Sequence, residues 1–149
     1  MSKDFVSNFL SVAHMITRAD RGLAVDTDMQ ILAGINVTQA NLDDPRFCDC
    51  AKDTLQKAIN TGETIITNNL IMDQSQAPKT NVSLTDLRFV VGIPIPGMGA
   101  VYLDQPIRPQ GVMSPQIIKS LAQLVAHIQT QHLEDSTPEE IYGIYQEII

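Results

Sequence analysis

The sequence predicts an α+β fold built on a central antiparallel sheet of five or six strands, and three observations carry that expectation. Leu87–Ile95 and Ala100–Asp104 are apolar runs rich in β-branched residues on either side of Pro96-Gly97-Met98-Gly99, the pattern of two strands joined by a tight hairpin. Neither run alternates apolar with polar residues, so both faces of the hairpin are expected to be covered and the pair to lie at the centre of its sheet. Long stretches of helical periodicity at both ends of the chain supply the covering layers. A chain of 149 residues is expected to form one body that buries roughly 70% of the surface its unfolded form exposes.

The first helix is expected from Lys3 to Ala19, because Phe5, Phe9, Val12 and Ile16 recur at helical spacing and Val6, Leu10 and Ala13 widen the stripe. Asp20-Arg21-Gly22 is read as its end, with Gly22 as a left-handed cap. Leu23–Asp26 and Gln30–Val37 read as a strand pair around Thr27-Asp28-Met29, and Asn41–Pro45 as a turn. Phe47, Ala51, Leu55, Ala58 and Ile59 give an amphipathic helix over Arg46–Thr61 that Gly62 ends. Thr64–Asn68 is a short strand. Asn69–Asp86 is polar, contains Pro78 and is longer than an ordinary connection, which marks a binding loop with a helical turn or a lid.

After the hairpin, Gln105–Val112 reads as irregular, and Ser114-Pro115 starts a helix to about Leu133 with Ser at the N-cap and Pro at the first position. Ile118, Leu121, Val125 and Ile128 lie along it at spacings of three and four, with Ile117 and Leu124 beside them, enough to serve a sheet and another helix. Residues 1–133 are thus one domain and 134–149 a tail. Thr137-Pro138-Glu139-Glu140 is a capping box that opens a short helix with the stripe Ile141, Ile144, Tyr145 and Ile148, weakened by Gly143. So short a helix needs a groove in its own subunit, a dimer mate or another protein.

Ten Lys and Arg against seventeen Asp and Glu give a formal charge of −7. The cations are scattered singly, so there is no stripe for phosphates to neutralise, and neither nucleic acid nor membrane is an expected partner. No apolar run approaches the roughly 20 residues that span a bilayer, and Met1-Ser2-Lys3-Asp4 does not open a secretory signal, so a cytoplasmic location is expected. Cys48 and Cys50 stand one residue apart, a spacing unsuited to a disulfide and at most half a metal site. No Ser/His/Asp set, carboxylate pair or Gly-rich phosphate loop is readable, and the chain is expected not to be an enzyme.

Five residues are candidates for a ligand site. Gly92 in a doubly buried strand implies a close approach, by a ligand or by a bulky helix side chain. Arg88, at the start of the same strand, offers a fork of donors to an anion or to a rim carboxylate such as Asp73 or Asp86. Thr67, Asn68 and Asn69 end a strand beside the long loop, where polar groups either converge on a ligand or cap the turn.

The ordered set Ala19-Asp20-Arg21-Gly22, Ala58-Ile59-Asn60-Thr61-Gly62-Glu63-Thr64, Leu87-Arg88-Phe89-Val90-Val91-Gly92-Ile93-Pro94 and Gly99-Ala100-Val101-Tyr102-Leu103-Asp104 resembles the small-molecule sensing domain called GAF over nearly the whole length to Gln131. The resemblance implies a GAF/PAS-like sheet with the long N- and C-terminal helices on one face and ligand-pocket helices and loops on the other. It implies a pocket between the sheet, the middle helix and the Asn69–Asp86 loop, and a homodimer through the terminal helices, here Ile118, Leu121, Val125 and Ile128. The residues that mark cyclic-nucleotide binding, tetrapyrrole attachment through a Cys-His pair, or the three-cysteine sulfoxide reductases of this fold are not present in their patterns, so no cofactor is named. The function expected is a standalone, homodimeric sensory or regulatory domain that binds a small molecule and signals in trans. A ligand-free interaction scaffold and a small thiol-dependent reductase are the alternatives.

Overall fold

The computed structural model describes residues 2–67, 88–106 and 114–149. Along the chain these form α1 (Ser2–Thr17), β1 (Arg21–Val25), β2 (Ile31–Ile35), α2 (Gln39–Leu42), α3 (Pro45–Thr61), β3 (Ile65–Thr67), β4 (Arg88–Ile95), β5 (Gly99–Pro106), α4 (Pro115–Thr130) and α5 (Pro138–Ile148). The strands make one five-stranded sheet in the order β2-β1-β5-β4-β3 with every neighbour antiparallel. Among the described residues no helix is long and apolar enough to cross a membrane.

The expected hairpin is the middle of this sheet. β4 and β5 pair from Arg88↔Pro106 to Ile95↔Gly99, closed by a turn in which Met98 N donates to Ile95 O at 2.9 Å. Phe89, Val91, Ile93, Ile95, Val101 and Leu103 face one core with α1, α4 and α5. Val90, Ala100 and Tyr102 face a second core with α3. The absence of alternation therefore has its predicted cause: each strand surface meets an apolar layer.

Several boundaries differ from the sequence reading. The left-handed residue after α1 is Arg18, at φ 57°, and Gly22 lies inside β1. An ideal Cβ on Gly22 would sit 2.8 Å from Leu10 Cδ1, so this glycine admits α1 to the sheet rather than ending the helix. Asn41 and Leu42, read as the start of a turn, instead end α2, whose Thr38 and Asn41 form a reciprocal capping box. Asp44 caps α3 by accepting from Arg46 N at 3.0 Å, and Gly62 closes it at φ 69°, as the spacing predicts. Ser114 occupies the N-cap of α4, but its hydroxyl makes no cap bond, and α4 stops at Thr130.

The tail is a third element of the α1/α4 layer. Its capping box forms as expected, with Thr137 Oγ1 accepting from Glu140 N at 3.2 Å and Glu140 Oε1 accepting from Thr137 N at 2.8 Å. Ile141 is fully buried and Tyr145 is 7% exposed, both in the core shared with α1 and α4. The Tyr145 and Ser120 hydroxyls lie 2.8 Å apart, and Asn8 Nδ2 donates to Ser136 O at 3.3 Å. The groove that receives the tail is thus in the same subunit.

That docking corrects the expected dimer surface. Ile118, Leu121, Val125 and Ile128 are at most 3% exposed within the single chain, buried against the sheet, α1 and α5. The apolar surplus of α1 and α4 is consumed by α5, an acceptor that periodicity does not reveal. Because an 11-residue helix is marginal alone, its place depends on its buried anchors. Ile141→Ala is expected to lower the unfolding free energy by about 2–5 kcal/mol, read as a lower urea midpoint.

Candidate functional site

The sequence places a ligand between the sheet, the middle helix and the Asn69–Asp86 loop; that loop lies outside the described residues, and beneath α3 the polypeptide itself packs on the sheet. Asp44 and Pro45 start α3 and Gly62 stops it, so its apolar stripe falls on one side. Phe47, Cys50, Ala51, Leu55 and Ala58 are buried there against Leu23, Val25, Val90, Ala100 and Tyr102. Gly92 pairs with Ile65 on one side and Tyr102 on the other, directly under the helix. A Cβ at Gly92 would lie 2.8 Å from Thr54 Cγ2, 3.2 Å from Thr54 O and 3.6 Å from Ala58 Cβ.

Gly92 is therefore a contact for α3. The approach is closer than the bulky-side-chain alternative supposed, because small residues let the helix backbone itself descend to the strand. Thr67 ends β3 opposite Val90. Arg88 begins β4 opposite Pro106, but its side chain, like Asn68, Asn69 and the Asn69–Asp86 loop, lies outside the described residues.

A polar cluster that the sequence reading did not pick out sits on the same face. Arg21 and Asp104 are cross-strand partners in β1 and β5, and Tyr102 follows the same parity two residues before Asp104. Arg21 Nε donates to Asp104 Oδ1 at 3.0 Å and Nη2 to Oδ2 at 2.7 Å, while the Tyr102 hydroxyl donates to Oδ2 at 2.5 Å. The guanidinium lies 4.4 Å from the centroid of the Phe47 ring, which meets Tyr102 edge-on at 5.8 Å. Asp104 is fully buried and Arg21 is 7% exposed.

Burial works to lower the Arg21 pKa, but the hydrogen bonds and charge of Asp104 outweigh it and hold the pKa above the ordinary value. Burial first, and then the Asp104 charge, push the Tyr102 phenol well above the tyrosine range. A planar fork on a carboxylate, stacked on an aromatic ring, is the arrangement that best offsets the desolvation of two charges. Its groups are turned on one another and closed to solvent, so the cluster joins β1, β5 and α3 rather than facing a substrate. The signal in the sequence is parity: an Asp two residues beyond Tyr102 on a doubly buried strand needs a buried cation.

The thiols do not converge. Cys48 Sγ lies 2.9 Å from Leu42 O, whereas Cys50 is buried in the core beside Tyr102. Among the described residues no group of three or more His, Cys, Asp and Glu side chains is placed to hold a metal ion. A shallow groove of about 180 Å³ runs between α4 and the end of the hairpin, lined by Thr64, Pro94, Pro96, Ala122, Ala126 and Gln129 among others. That is below the roughly 300–1,000 Å³ usual for small-molecule pockets.

No family model matches the sequence, and no curated protein does. Among solved structures, the GAF domain/HD domain protein from Geobacter sulfurreducens is similar with a TM-score of 0.58 at 12% identity, over 97% of this chain and 94% of that one. The chain has a GAF-like fold. A structure described as MglB with tetrameric arrangement aligns with a TM-score of 0.44 at 12% identity, over 99% of this chain and 93% of that one. Within the GAF-like fold of this chain, α3 sits directly on β4 at Gly92.

Gly92→Ala is expected to destabilise by about 1–3 kcal/mol through overpacking, and Thr54→Ser to relieve it, giving a coupling of about 0.5–3 kcal/mol in a double-mutant cycle by urea unfolding. At the polar cluster, Asp104→Ala leaves the Arg21 charge buried and is expected to cost about 3–5 kcal/mol. Tyr102→Phe is expected to cost about 1–3 kcal/mol at neutral pH. The raised phenol pKa fixes the sign of the alkaline limb. Above about pH 10 the unfolded chain releases the Tyr102 proton while the fold retains it, so stability falls as pH rises. Unfolding curves collected from pH 9 to 11 are expected to show this slope in the wild-type chain and a shallower one in Tyr102→Phe.

Proposed function

We propose that the chain is a non-catalytic regulatory domain of GAF-like fold that acts in trans through contact with a protein, without a small molecule beneath α3. The reading is the interaction-scaffold alternative from the sequence. It is carried by the seat of α3 at Gly92, where Thr54 and Ala58 occupy the space a bound molecule would need. The closed Arg21–Asp104–Tyr102 cluster supports the non-catalytic part, since its donors and acceptors already serve one another. Cys48, half-buried with its Sγ on Leu42 O, and Cys50, buried beside Tyr102, are turned to different partners, which supports the same part against a thiol-dependent reductase that would need both sulfurs at one reactive place.

The test is a small-molecule screen on the full chain by thermal stabilisation, followed by hydrogen exchange on any hit. The expected result is no compound that both raises the melting temperature and slows exchange in α3 and β4. A compound that does both would overturn the reading and restore the sensor. Turnover of a sulfoxide or peroxide that is lost in Cys48→Ser or Cys50→Ser would overturn its non-catalytic part.

A further inference from the structure

We propose that the groove between α1 and α4 that seats α5 also receives α5 from a second copy of this chain, so that two copies exchange their C-terminal helices. The inference rests on the reading of the chain as a contact domain and names one of its contact surfaces. What the groove accepts is defined by its occupant. Ile141 is fully buried, Tyr145 is nearly so, Ile144 and Ile148 are partly buried, and the Tyr145 hydroxyl meets Ser120 Oγ at 2.8 Å in the middle of the contact. A helix that fits this groove in one subunit fits the identical groove in another, with the same apolar anchors and the same hydroxyl pair. Exchange therefore keeps the contacts that Ile141 and Tyr145 make with the groove, and the hinge and the concentration decide between the two arrangements.

The hinge has a defined cost. Between α4 and α5 the chain reverses at His132, which adopts φ 57°. This is the left-handed region, where a residue with a Cβ is held only by the surrounding contacts. The turn is held by His132 N donating to Gln129 O at 3.3 Å, Leu133 N donating to Ile128 O at 2.9 Å, and Asn8 Nδ2 donating to Ser136 O at 3.3 Å. If α4 runs on through residues 131–133, His132 returns to the right-handed region and the helix ladder replaces the two backbone bonds. The same motion carries α5 off its own subunit. Its isoleucine stripe cannot remain in water on an 11-residue helix, and the vacated groove of a second copy, opened in the same way, is the complementary site. The occupant is a second copy rather than a foreign helix because the stripe and the hydroxyl that match the groove are both encoded in α5.

The experiment is sedimentation equilibrium on the full wild-type chain, on His132→Gly and on a chain lacking residues 133–135. The wild-type chain is expected to show a concentration-dependent dimer in roughly the tens-of-micromolar range. Glycine removes the penalty of the left-handed turn from the closed form, so His132→Gly is expected to weaken dimerisation roughly tenfold or more, two hinges being relieved per dimer. The shortened hinge cannot return α5 to its present seat and is expected to give a dimer that persists on dilution. Monomers in all variants, or a dimer equally strong in wild type and His132→Gly, would overturn the proposal. Should the shortened chain fail to fold, the comparison of His132→Gly with wild type decides alone. A small molecule found beneath α3 would defeat the contact-domain reading without altering this comparison, so the two failures are distinguishable.

Discussion

The β4–β5 pair is buried on both faces, and the rest of the molecule is arranged around that constraint. A strand with apolar residues on each side needs two layers at close range, and the two layers here are unlike. On one face α1 and α4 bring large side chains, Phe5, Phe9, Leu121 and Leu124 among them, to Val91, Ile93, Val101 and Leu103. On the other face, among the described residues, the helix α3 covers the centre of the sheet. This helix sits low: Gly92 on the strand and Thr54 and Ala58 on the helix remove the bulk that would hold them apart. Among the described residues, Thr54 and Ala58 fill the space above Gly92.

The buried Arg21–Asp104 pair is the polar counterpart of this packing. Two charges taken from water are stabilising only when their geometry and remaining hydrogen bonds are nearly complete. Completion draws on three elements: Arg21 from β1, Asp104 and Tyr102 from β5, and the Phe47 ring from α3. A one-residue slip of β1 against β5 would turn Arg21 to the opposite face and strand both charges, so the pair penalises wrong registers more than it adds to stability. It also fixes the first turns of α3 over the sheet, since Phe47 lies under the guanidinium.

The sheet margins show how this chain limits edge pairing. β2 departs from regular register between the Ala24 and Val25 positions of β1, so that Leu32 has no partner of its own, and Asn36 leaves the strand at φ 57°. β3 is three residues long. Short, bulged edges offer little backbone to another sheet. The helical layer is then the larger contact resource, and α5 already uses it.

Much of the fold is legible in the sequence. The hairpin, the α3 stop at Gly62 and the Thr137 capping box follow from local chemistry: β-branched runs around Pro and Gly, a left-handed glycine, a hydroxyl three residues before a carboxylate. Double burial of β4 and β5 follows from the missing alternation. The candidate site was much less legible. Gly92 announces a close approach without saying what approaches, because a ligand and a helix of small residues demand the same absence of a Cβ. Arg21 and Asp104 stand 83 positions apart, and only the antiparallel register of β1 on β5 makes them partners. Periodicity likewise counts the apolar residues of α1 and α4 but not their acceptors. Whether Leu121 and Val125 meet another subunit or α5 depends on where the next helix, Pro138–Ile148, folds back, and that is decided by long-range packing.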